Sequence, residues 1–143
     1  MTAGDRVDAL GDRVSGLAAS APAPSALARW GLGLMLVAAG AHKLLDPAGW
    51  TVYVTDWLAP LLVVSPTTFM LANGYLELGF AALLLADRYT AFAALVAAVS
   101  LAATTAYLAV VWLDTGAFGD VVARDVGLTG LALAVLVDAL RNE

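Results

Sequence analysis

The chain has 143 residues, 62% of them hydrophobic and 13% charged, with a mean hydropathy of +0.86; soluble domains run at about 45–50% apolar, so the composition describes a small polytopic membrane protein of one domain. The net charge of −5 lies in the termini and turns, and segments without clustered Lys and Arg offer nothing to nucleic acid. With no cysteine and one histidine, thiol redox chemistry, disulfides, iron–sulfur clusters, Cys-ligated zinc and bis-His haem ligation within one chain are excluded, and no metal site is expected.

Residues 4–17 read GDRVDALGDRVSGL, a seven-residue repeat that sets Val7, Leu10, Val14 and Leu17 on one apolar stripe of a short helix. Two heptads are too few for a coiled coil; the segment is either a helix on the membrane surface or a partner, or a mobile tail. It is polar directly after Met1 and does not read as a secretory signal. Ala21-Pro22-Ala23-Pro24-Ser25 then breaks the helix, with Ser25 placed to cap the next one. Residues 1–24 are thus expected to form a cytoplasmic amphipathic segment with a Pro/Ala linker, and residues 25–143 a four-helix membrane domain.

The first span is expected at about 26–45, long enough for a hydrocarbon core of about 30 Å. Arg29 marks its start, His42-Lys43 its end, and Gly33 and Gly40 allow a neighbour to approach closely. Between 48 and 64 an apolar stripe carries Trp50, Tyr53 and Trp57 and is interrupted at Pro60, which reads as an interfacial segment whose aromatics anchor at the membrane boundary. Ser65-Pro66 is a good helix start, opening a second span at 67–86. The third, 90–113, has no charge; an Ala94, Ala98, Ala102 row suits close packing, and Ser100, Thr104 and Thr105 suit bonds to backbone or a neighbouring helix. The fourth, 121–140, follows an Asp- and Gly-rich turn and begins with Arg124-Asp125. The expected fold is all-α: a four-transmembrane-helix bundle with an interfacial segment between helices one and two. Arg6, Arg13, Arg29, Arg88 and Arg141 flank one side and Lys43 and Arg124 the other, which places both termini in the cytoplasm.

Glu77 lies midway along the second span, where an ionised carboxylate costs roughly 2.5–3.5 kcal/mol on insertion scales. It needs a partner, a water-lined cavity, or a proton. Asn73, four residues earlier, shares its helix face. With this topology Lys43 and Arg124-Asp125 meet the same side of the membrane, so Lys43, Asn73, Glu77, Arg124 and Asp125 can form a polar column, two charges of each sign, from the outer rim to mid-membrane. The alternative is an internal ion-pair network that only fixes helix order. His42 reads as a boundary residue.

An Arg opening span one, Gly40-Ala41-His42-Lys43 near its end, and an aromatic connector leading to a Pro resemble the DoxX family. So do Tyr75-Leu76-Glu77-Leu78-Gly79 in span two and Arg124-Asp125-Val126-Gly127-Leu128 opening span four. The resemblance runs from about Ala26 to Leu140. It implies a four-helix integral membrane protein linked to respiratory electron transfer, with quinone as the implied cofactor and other membrane subunits or further copies of the chain as implied partners beside the bilayer. The column and the resemblance together suggest a quinone- or redox-linked membrane subunit; a non-catalytic accessory or scaffold subunit is the alternative.

Overall fold

In the computed structural model, which describes residues 2–142 apart from the Ala3 side chain, the chain is helical, with no strand among the described residues. Met1 and Glu143, the outer ends of the two expected segments, lie outside the described residues. Helix α1 (Ala3–Ser20) opens on a capping box: Thr2 Oγ1 accepts from the Asp5 amide, and Asp5 accepts from the Thr2 amide. Every described side chain in it is exposed, including Val7, Leu10, Val14 and Leu17.

Helix α2 (Pro24–Leu45) begins one residue before the expected cap. Ala23 takes the N-cap position and Ser25 makes no capping bond; Pro24, at the first helical position, needs no N–H acceptor and fixes the start. The connector contains a one-turn helix α3 (Pro47–Trp50), capped by Asp46 through the Gly49 amide, and two 3-10 turns, Thr51–Tyr53 and Ala59–Leu61. Helix α4 (Pro66–Leu85) starts as its sequence signature predicts, with Ser65 Oγ accepting from the Thr68 amide. A tight turn leads to α5 (Thr90–Thr115), which ends at Gly116 in the left-handed conformation, φ +76°. Helix α6 (Gly119–Asn142) completes the chain.

Helices α2 and α4 pack along their whole length, as do α5 and α6; contact between the two hairpins, α2 on α6 and α4 on α5, is sparser. The molecule is therefore two tight helix pairs meeting along a looser seam. Toward the α4–α5 turn the seam is closed by Leu32, Leu36, Ala81, Leu84, Ala93, Ala94, Ala97, Ala98, Ala132 and Val135, a core in which alanines let the backbones approach. Ala102 is exposed, outside the row expected with Ala94 and Ala98. Each four-residue step overshoots a 3.6-residue turn by about 40°, so the row rotates off the interface within two steps. At the opposite end Leu108, Val121 and Val122 form a smaller core against Tyr53, Tyr107 and Phe118. Among the described residues two helices, Pro66–Leu85 and Thr90–Thr115, are long and apolar enough to cross a membrane, two of the four spans expected.

Candidate functional site

The site is built on the crossing of α2 and α4. A Cβ at Gly40 would stand 2.8 Å from the Gly74 carbonyl oxygen, and one at Gly74 3.0 Å from the Gly40 carbonyl oxygen, so the two backbones touch where neither carries a side chain. Lys43 and Glu77 each lie three residues beyond these glycines. The Lys43 Cβ lies against Gly74 and the Glu77 Cβ against Gly40. The empty glycine faces leave a lane in which Lys43 Nζ reaches Glu77 Oε1 at 2.5 Å. The two side chains are 8% and 19% exposed, so the pair is largely withdrawn from water. This contact is direct, with no need of Asn73 as a bridge.

Lys43 has a second partner in the connector. Its Nζ lies 4.4 Å from the centroid of the Trp50 ring, a cation–π contact. Trp50 Nε1 donates to His42 Nδ1 at 2.7 Å, which places the proton of a neutral His42 ring on Nε2. The aromatic series continues through Tyr53, ring centroid 5.8 Å from Trp50, to Phe118 on the α5–α6 turn at 5.1 Å. Tyr107 of α5 ties the connector down: its hydroxyl donates to the Tyr53 carbonyl at 2.8 Å and accepts from the Thr55 amide at 3.2 Å. Trp50 and Tyr53, expected as boundary anchors, pack inward and close the connector end of the bundle.

Arg124 Nε donates to Asp125 Oδ1 at 2.8 Å, an exposed guanidinium covering a buried carboxylate. The five column residues divide into two ion pairs and a half-buried Asn73. All five line one cavity of about 770 Å³ in the seam between the hairpins, together with Met35, Phe80, Ser100, Thr104 and Tyr107. Most of its wall is apolar and interrupted by these charges, the composition of a site for an amphiphilic small molecule. One buried side-chain polar atom has no protein partner among the described residues: Glu77 Oε2. Acidic and His side chains form no cluster suited to a metal ion among the described residues.

At the other end of the crossing Arg29 does structural work. Its Nη1 donates to the Leu84 carbonyl at 2.5 Å and its Nε lies 3.4 Å from Asp87 Oδ1. It adds a second donor to a carbonyl that already accepts from the Asp87 amide, and places a cation at the negative end of the α4 dipole. On α5, Thr105 Oγ1 donates to the Leu101 carbonyl at 2.7 Å and lies 3.4 Å from Thr129 Oγ1 of α6, both of the roles its position suggested.

The residues that the sequence did not single out are Trp50 as a cation partner, Gly74 as the second half of the crossing, and Tyr107. Gly74 had a legible signal, its place one turn before Glu77. Trp50 and Tyr107 act across more than a helical turn and leave no local pattern.

The sequence model of the DoxX family matches residues 25–112. The match takes in the whole α2–α4 hairpin with Lys43 and Glu77, the connector, and most of α5; it ends before Arg124-Asp125 on α6. No curated protein and no solved structure matches the chain. A match over more than half the length, centred on the hairpin that carries the buried ion pair, establishes the chain as a member of the DoxX family of membrane proteins.

Proposed function

We propose that this protein spans the membrane four times, through α2, α4, α5 and α6, and binds a quinone in the seam between its hairpins as a redox-linked membrane subunit. The four-span reading is supported by the outward faces of the two less apolar helices. On α2, Leu34 is 60% exposed and Leu27 47%; on α6, Val126 is 59% exposed and Leu140 58%. Large apolar groups exposed along a helix suit lipid and not water. The charges of α2 and α6 stand at the helix ends or in ion pairs. In this arrangement residues 2–24 lie outside the bilayer on the side of both termini, taken as cytoplasmic from the excess of Arg there.

The observation that carries the quinone reading is the cavity: mostly apolar walls that include Lys43, Glu77, Asn73 and Arg124-Asp125. Its volume, about 770 Å³, lies within the roughly 300–1,000 Å³ range of ligand pockets. The apolar walls suit a substituted ring and tail. Lys43 and Asn73 offer donors to ring oxygens, and Glu77 a group for proton exchange. Titration of the purified protein with duroquinone or duroquinol, followed by the fluorescence of its four Trp, is expected to give a saturable change. Ser100→Phe adds bulk on the α5 wall, removes no ion pair, and is expected to abolish that change. A linear response, or saturation indifferent to Ser100→Phe, rules the site out.

A second reading, an accessory subunit, is favoured by α1. Its Val7, Leu10, Val14 and Leu17 stripe is between 60% and 71% exposed, an apolar face without a partner in the monomer. Deletion of the first twenty residues is then expected to release the protein from a larger complex while leaving membrane insertion intact. Retention of every co-purifying protein after the deletion excludes this role.

A further inference from the structure

We infer that the seam site selects the reduced, hydroxyl-bearing form of its ring ligand, a hydroquinone, over the oxidised quinone, and that Glu77 sets this preference. The inference rests on the quinone reading above and specifies which redox state the site holds.

The two oxygens of Glu77 are in different situations. Oε1 receives Lys43 Nζ at 2.5 Å. Oε2 is buried and has no hydrogen-bond partner among the described residues, although the carboxylate lines a cavity large enough for a ligand. A carboxylate paired with an ammonium is an acceptor only. The group missing from Oε2 is therefore a donor, an O–H or N–H. A buried acceptor left without one carries the full cost of its desolvation, and the group that relieves it gains a charge-assisted bond.

The ring oxygens of a quinone are carbonyls and can only accept, so one beside Oε2 would set two acceptors face to face. A hydroquinone hydroxyl donates to Oε2, and its own oxygen can still accept from Lys43 or Asn73. The lysine is held for this by its other contacts: Trp50 covers it at 4.4 Å and Glu77 Oε1 takes one of its protons, which leaves further ammonium donors. A small polar donor alone would leave most of the apolar wall uncovered, whereas a substituted ring covers it.

Isothermal titration of the full-length protein in nanodiscs under argon, with duroquinol, duroquinone and the bis-methyl ether of duroquinol, separates the terms. Duroquinol is expected to bind about tenfold or more tightly than either of the others, the cost of leaving one charge-assisted bond unmade. Glu77→Gln replaces an acceptor by an amide that can donate; it is expected to abolish or reverse the ranking while duroquinone still binds. Equal affinities in the wild type, or a ranking unchanged by Glu77→Gln, overturn the inference and leave the quinone site standing. Absence of binding by all three overturns both. Should Glu77→Gln fail to fold, the wild-type ranking of duroquinol against duroquinone decides the question, since the two share ring carbons and methyl groups and differ in the hydroxyl protons.

Discussion

Glu77 illustrates how a buried charge is tolerated in an apolar helix. Lys43 supplies its counter-ion, and both groups are largely removed from water. Breaking such a pair from one side leaves a lone buried charge and costs about 3–5 kcal/mol, whereas replacing both members by apolar groups is often close to neutral. Lys43→Met is therefore expected to lower the thermal midpoint sharply, and Lys43→Met with Glu77→Leu to recover most of the loss. A double-mutant cycle on unfolding in detergent measures this; additive losses would show that the pair contributes no coupling. The sequence carried part of this site: Asn73 and Glu77 line one cavity with Lys43, and their shared helix face follows from helix geometry. The choice of Lys43 over Arg124 as the partner did not. That choice depends on how closely α2 and α4 cross, a tertiary distance, while Arg124 turns to its own neighbour Asp125 at 2.8 Å.

The element that fixes the crossing is the glycine pair. A methyl group at Gly40 would meet the backbone carbonyl of Gly74 at 2.8 Å, and a backbone atom cannot rotate aside. Gly40→Ala is expected to cost about 1–3 kcal/mol as the helices move apart. Gly79 on the same helix α4 faces open space, and Gly79→Ala is expected to be neutral or to stabilise by up to about 1 kcal/mol through helix propensity. Thermal unfolding of the two variants side by side checks the contrast; equal shifts would remove the crossing as the cause. Helix positions were legible at this scale because Pro24, Pro66 and Gly116 punctuate the chain. The connector was legible only as interrupted and aromatic. Its inward packing depends on Tyr107, some fifty residues later in the chain, whose hydroxyl meets the Tyr53 carbonyl and Thr55 amide.

For the whole molecule, the four-span proposal makes a topological prediction that the absence of native cysteine renders simple to examine. Asp56→Cys in the connector and Ala117→Cys in the α5–α6 turn are expected to react with a membrane-impermeant maleimide in intact cells. Arg88→Cys and Asn142→Cys are expected to react only after permeabilisation. Labelling of all four in intact cells, or of neither outer position, would rule the topology out. The class of the fold was legible from apolar content and span length. The division into two tight hairpins was not, because α2, α4, α5 and α6 all carry small residues and only their packing shows which faces meet closely.

That division bears on how the chain is made. Helix α2 leaves the ribosome first with Lys43, before Glu77 exists to neutralise it, and with Arg29, before the Leu84 carbonyl and Asp87 are in place. Each of its cations finds a partner only when α4 and the turn after it have been synthesised. In the four-span arrangement proposed above, residues 24–87 are therefore expected to enter the bilayer as one unit, with α2 becoming compatible with lipid only once α4 has arrived. The second hairpin is expected to show no such delay, since the one charge of α5, Asp114, stands at its C-terminal end and Arg124 and Asp125 emerge together as neighbours that pair.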